Sequence, residues 1–203
     1  MTIDTQTIPT AQSADPKVYS ILEAAFTCFV NYGVQRTSMA DIAKAAGMSR
    51  PALYLHFPNK DAILSGLVHG YFQKASADMT QALAQPGTPA QRLLAAMHAK
   101  DGDMLEKLMA TPHGPELLDV KRTAASDIVA QGEAQMKAVF SDWIRQGLSD
   151  GFLTMARVPG TPESFAHTLL LTLIGLKTGF TTVESYRESQ RQIAESFGAM
   201  LQA

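Results

Sequence analysis

Residues 37–64 read TSMADIAKAAGMSRPALYLHFPNKDAIL, and they decide the fold. Ser38 followed three residues later by Asp41 has the spacing of a capping box, which predicts a short helix starting at Thr37 or Ser38 and ending near Ala46. Met39, Ile42, Ala43 and Ala46 fall on one face of it. Gly47 breaks it, Ser49 can cap a third helix, and Pro51 suits that helix's first turn before Phe57-Pro58 stops it. Two short helices around a glycine turn form a helix-turn-helix. Ala40, Ala43, Ala45 and Ala46 let the helices approach closely, Gly47 tolerates positive φ, and the second helix projects side chains from its N-terminal end.

The flanks extend this pattern. Asp15 and Pro16 open a helix whose apolar stripe is Val18, Ile21, Leu22, Ala25, Phe26, Phe29 and Val30, and Gly33 closes it after Tyr32. Asn59 caps a long helix over 60–83. Gln85-Pro86-Gly87-Thr88-Pro89 is a clear break. Helical periodicity then resumes over about 89–110, 115–120, 125–150, 162–182 and 184–201. No strand or hairpin signal is present, so the expected class is all-α: an N-terminal helix-turn-helix followed by a helical bundle. The expected organisation is a tail over 1–15, the DNA-binding helices over 16–60, a connecting helix over 61–84 and a ligand-binding and dimerisation domain over 85–203.

Charge points the same way. The 203 residues carry a net −2, which argues mildly against nucleic acid. Residues 34–60, however, hold Arg36, Lys44, Arg50 and Lys60 against Asp41 alone, a local +3, and leave −5 on the rest. Positive charge is concentrated where phosphates would be met.

This stretch resembles the DNA-binding signature of the tetracycline-repressor (TetR) family over about residues 16–70. Phe29-Val30-Asn31-Tyr32-Gly33, Thr37-Ser38, Ile42-Ala43, Ala46-Gly47-Met48-Ser49, Leu53-Tyr54, His56-Phe57 and Asn59-Lys60 carry the resemblance. It implies a homodimeric, ligand-responsive transcriptional regulator, most often a repressor. Two recognition helices would enter successive major grooves of a near-palindromic, double-stranded operator about 34–36 Å apart. Thr37, Ser38, Tyr54, His56 and Lys60 would then meet phosphates. Arg50 would read guanine, and Pro51, Ala52 and Leu55 would lie on the groove-facing surface.

The C-terminal half is less legible. Phe165, Leu169, Leu173 and Leu176, with Ile193, Phe197 and Leu201 of the last helix, are the expected dimer face, because the first of these helices is apolar on nearly all sides. Met97, Met104, Leu108, His113, Met136, Phe140 and Trp143 are the expected lining of a site for an apolar or aromatic effector.

Other readings are weaker. His98-Ala99-Lys100-Asp101-Gly102-Asp103 lacks the spacing of a metal site. No GxSxG elbow or P-loop is present, and Cys28 has no base near it, so neither an enzyme nor a cofactor is expected. The N-terminal residues lack the basic and apolar regions of a signal peptide. The most apolar run, 165–180, is too short for a bilayer, so the expectation is a cytoplasmic protein without a membrane partner. The alternative reading is an α-bundle for small molecules or protein partners whose helix-turn-helix has lost its DNA function.

Overall fold

The computed structural model describes residues 15–102, 104–114, 117, 125–177, 179 and 182–203. Helix α1 runs Pro16–Tyr32. The Asp15 carboxylate accepts from the Lys17 N–H at 3.0 Å, and Gly33 ends the helix at φ 82° while donating to Phe29 O. Helices α2 (Met39–Ala45) and α3 (Arg50–His56) follow as expected. Gly47 between them has φ 66°, and a Cβ there would meet nothing within 4 Å. The glycine is therefore required by backbone conformation rather than by crowding. Helix α4 spans Lys60–Leu83.

Helix α5 (Pro89–Asp101) is capped by Thr88, which exchanges hydrogen bonds with Gln91. It is shorter than the helix expected over 89–110. Gly102 at φ 51° closes it, and α6 (Met104–Met109) is a separate element. The expected helix over 115–120 lies almost wholly outside the described residues. Helix α7 runs Ser126–Ser149, α8 Pro162–Leu176 and α9 Val183–Leu201. Helix α8 stops six residues short of the expected Thr182. The glycine and threonines after Lys177 are poor helix formers, and Thr182 is taken as the N-cap of α9, accepting from the Ser185 N–H at 3.1 Å. No strand is present among the described residues. One antiparallel bridge joins Leu153 and Gln202.

Two compact units result. One comprises the chain up to Lys74 together with Glu106–Gly132, the other Ala75–Leu105 together with Glu133–Ala203. The sequence-based division at 84/85 is thus not where the contacts divide. His113 donates its N–H to Val30 O at 3.0 Å and Leu117 packs against the core of the first unit, which draws residues after 106 to the N-terminal helices. That core contains Ile21, Ala25 and Phe29 of α1, Met39, Ile42 and Ala43 of α2, Leu53 of α3, and Ile63 and Leu64 of α4. Burying each large side chain contributes about 1.5–3 kcal/mol, enough to hold two seven-residue helices that would not persist alone.

In the second unit Ile144, Leu153, Phe165 and Leu201 form a buried cluster, with Phe197 edge-on to Phe165 at 5.2 Å. Helix α9 lies close to α5, and an added Cβ on Gly198 would sit 2.5 Å from Ala90 Cα. No described helix is long and apolar enough to cross a membrane.

Candidate nucleic-acid interface

The surface built by α2, α3 and the start of α4 is set by its caps. Ser38 Oγ accepts from the Asp41 N–H at 3.2 Å. Asp41 Oδ2 accepts from the Ser38 N–H at 2.9 Å and from its hydroxyl at 2.6 Å. Those hydrogen bonds hold the Asp41 carboxyl below the ordinary carboxylate range, with Lys44 adding a smaller pull. The one acid within residues 34–60 is therefore ionised and turned to its own helix end. Arg36, Lys44 and Arg50 are exposed.

Helix α3 carries the exposed face. Ser49 Oγ accepts from the Ala52 N–H at 3.3 Å, and Leu53 is fully buried, which fixes the helix's rotation about its axis. Arg50, Pro51, Tyr54 and Leu55 are left exposed, Leu55 to 86%. Ala52 and His56 are half-buried. Arg50 Nη2 donates to Tyr54 Oη at 3.4 Å, and its guanidinium carbon lies 5.6 Å from the ring centroid. One helical turn separates the two residues, so the Arg50 fork is already steered before any partner arrives. An exposed guanidinium beside exposed apolar groups can address guanine O6 and N7 together with a thymine methyl.

Two expected phosphate contacts are placed differently. Thr37 is only 3% exposed, and its hydroxyl donates to Gly33 O at 2.8 Å, so it is a buried tie rather than a surface donor. The Lys60 ammonium points back into the loop between α1 and α2. There it donates to Val34 O, to Gln35 O at 3.4 Å and to Thr37 O at 2.9 Å. All three of its protons have protein acceptors, so Lys60 staples the loop that positions α2.

The residues expected to line an effector site separate. Leu108 and His113 belong to the first unit, while Met97, Met104, Met136, Phe140 and Trp143 belong to the second. Met97, Met136 and Phe140 are buried; Met104 and Trp143 are half-buried. A cavity of about 210 Å³ in the second unit is lined by Trp143 with Arg92, Gln146, Gly147, Asp150 and Phe152, and the Arg92 guanidinium lies 4.1 Å over the Phe152 ring. Sequence reasoning did not select Arg92 or Phe152, which are 60 residues apart and meet only in the fold. Of the expected dimer face, Phe165, Leu169, Leu173 and Leu201 are buried within their own chain. Leu176, Ile193 and Phe197 are half-buried, and Leu171 is 53% exposed. A second copy would therefore meet Leu171 and the half-buried residues before the others.

Residues 21–67 match the family model for bacterial regulatory proteins of the tetR family. The chain is similar to an uncharacterised helix-turn-helix transcriptional regulator of Mycobacterium tuberculosis, 44% identical over 48 residues, 24% of this chain and 25% of that protein. It is also similar to the regulator TtgR of Pseudomonas putida, 38% identical over 73 residues, 33% of this chain and 35% of that one. It thus spans about a quarter to a third of the length of these curated relatives. Among solved structures, a transcriptional regulator of Cytophaga hutchinsonii superposes with a TM-score of 0.74 at 18% identity, covering 93% of this chain and 100% of that one. A SmeT–triclosan complex superposes with a TM-score of 0.70 at 22% identity, covering 93% of each chain; SmeT is the repressor of a Stenotrophomonas maltophilia multidrug efflux pump. At these identities the structural likeness establishes the fold.

Proposed function

We propose that this chain, whose N-terminal helices belong to the tetR family of bacterial regulatory proteins, is a ligand-responsive transcriptional regulator acting as a repressor. The observation that carries the reading is the exposed face of α3. Arg50, Pro51, Tyr54 and Leu55 stand out from a segment of local charge +3 whose single carboxylate is tied to its own helix cap. Binding is to a near-palindromic operator as a homodimer, with the pair made through Leu171 of α8 and the half-buried Leu176, Ile193 and Phe197. Ser38, Tyr54 and His56 contact phosphates, Arg50 reads a guanine, and Pro51, Ala52 and Leu55 supply apolar contacts to bases. A small apolar or aromatic effector bound in the second unit, where Trp143 and Phe152 face one cavity, favours a dimer whose spacing no longer fits the operator. The triclosan complex of SmeT is a precedent for an aromatic effector on this fold.

The test is footprinting on the DNA upstream of the chain's own gene, followed by titration of the Arg50→Ala variant. Arg50 is exposed, so its truncation leaves the core intact. Losing a bidentate guanine contact costs about 1–3 kcal/mol, roughly 5- to 150-fold in affinity, and relaxes base preference at one position of each half-site. Unchanged affinity and preference would favour the bundle without a DNA function.

A further inference from the structure

The cavity of the second unit holds two opposite charges that do not meet. Arg92 and Asp150 both line it, yet among the described residues neither forms an ion pair. The Arg92 guanidinium is fixed from three sides. Nε donates to Gly87 O at 3.2 Å, Nη1 donates to Leu83 O at 3.4 Å, and the central carbon lies 4.1 Å over the Phe152 ring. Its Nη2 group has no acceptor among the described residues. The Asp150 carboxylate accepts from Gln146 Nε2, at 2.9 and 3.0 Å, and meets no cation there.

Each charge also stands at the wrong end of a helix. Arg92 lies in the first turn of α5, and Asp150 directly follows the last residue of α7. Helix N-termini carry a partial positive charge and C-termini a partial negative one, so both residues add to these partial charges instead of offsetting them. The first turn of α5 has no acidic residue and the last turn of α7 no basic one. Arg145, the nearest cation along α7, is paired with Asp142 and Glu163. The cavity therefore has a positive pole and a negative pole, each lacking a counter-charge. Trp143, half-buried, supplies aromatic wall, and its indole N–H has no acceptor among the described residues.

We propose that this cavity takes a small aromatic amino acid as its zwitterion, with the ligand carboxylate on Arg92, its ammonium on Asp150 and its ring on Trp143. This rests on the reading of the cavity as the effector site and narrows the class of effector. A zwitterion answers both poles with no change of net charge, whereas an aromatic acid or an aromatic amine leaves one pole as it was. Arg92 already covers one face of Phe152, so the ligand ring lies against Trp143. The volume of about 210 Å³ is below the roughly 300–1,000 Å³ of drug-sized pockets, which confines the ligand to a single ring.

Trp143 is the chain's single tryptophan, so its emission reports on this cavity. The full chain is titrated with phenylalanine, with hydrocinnamate, which lacks the ammonium, and with phenethylamine, which lacks the carboxylate. Trp143 emission and calorimetric heat are followed together. Phenylalanine should change the emission and bind at least about fivefold tighter than either analogue, the scale of one partly exposed charge pair. Asp150→Asn changes an exposed side chain, keeps an acceptor for Gln146 and removes a charge that opposes the α7 dipole, so it should melt no earlier than the parent. In that variant the advantage over hydrocinnamate should vanish while the advantage over phenethylamine remains. Equal binding of the three ligands, heat without an emission change, no response to phenylalanine, or an advantage over hydrocinnamate that survives Asp150→Asn overturns the proposal. Retention on operator DNA is read separately. A phenylalanine preference that leaves DNA binding unaltered supports the amino-acid site and counts against the effector reading. A DNA-binding protein without a phenylalanine preference overturns the amino-acid site alone.

Discussion

Replacing Gly198 by alanine should cost the second unit about 3 kcal/mol or more, at the upper end of what overpacking does. An alanine at a helix interior is ordinarily a gain of about 1 kcal/mol over glycine. Here the added methyl would meet the Ala90 backbone, with the nitrogen and the Cα each 2.5 Å away, and Ala90 Cβ at 2.7 Å. Backbone cannot rotate aside as a long side chain can, so α9 must shift off α5. That shift would strain the set that Asp101 of α5 makes with Tyr186 and Gln190 of α9, where three buried polar groups satisfy one another. Thermal unfolding of Gly198→Ala, followed by circular dichroism, should show the loss. A melting temperature equal to or above that of the parent would mean the two helices are not in contact as described.

The second large effect concerns Lys60. Changing it to methionine keeps the aliphatic stem and removes three donors, leaving the carbonyls of Val34, Gln35 and Thr37 without that partner. Hydrogen bonds to a charged group are worth about 1.5–3 kcal/mol, so a loss of about 2–3 kcal/mol in the first unit is expected after partial hydration of the loop. A phosphate contact would behave otherwise. It would leave stability alone and lower the slope of log affinity against log salt by about one. Chemical denaturation of Lys60→Met, paired with DNA titrations at several salt concentrations, separates the two roles. A staple predicts a large stability change and an unaltered slope, and the reverse pattern would restore Lys60 to the DNA surface.

The N-terminal helices were legible because their instructions are local. Asp15, Pro16 and Gly33 mark both ends of α1, and the structure has it at Pro16–Tyr32. Ser38 and Asp41 supply the capping box as read, and Gly47 takes positive φ in the turn between α2 and α3. The roles of Thr37 and Lys60 were not legible, since each depends on carbonyls that only the folded chain brings near: Cys28 and Gly33 for the first, and a loop more than twenty residues upstream for the second. Further along, the apolar period continued through Met104, Leu105 and Leu108, which hid the break that Gly102 imposes. The buried ion pair of Lys100 and Asp101 was hidden for a related reason. In sequence Lys100-Asp101 is only part of a run that lacks metal-site spacing, and the approach of Tyr186 and Gln190, more than eighty residues later, is what reveals the pair as interior.

The chain passes between its two units after Lys74, Leu105 and Gly132, and each of these points lies inside a helix, α4, α6 or α7. Chains with two compact units are often treated as modular, with a head that can be cut off and grafted onto another body. This chain has no seam for such a graft. A fragment ending at residue 74 would leave behind residues 106–132, including Leu117, which packs against the head's core, and His113, which bonds to Val30. Chimeras spliced at a single junction should therefore express poorly. A hybrid that keeps this chain's head should require the two non-contiguous segments, residues up to 74 and 106–132, to be carried together.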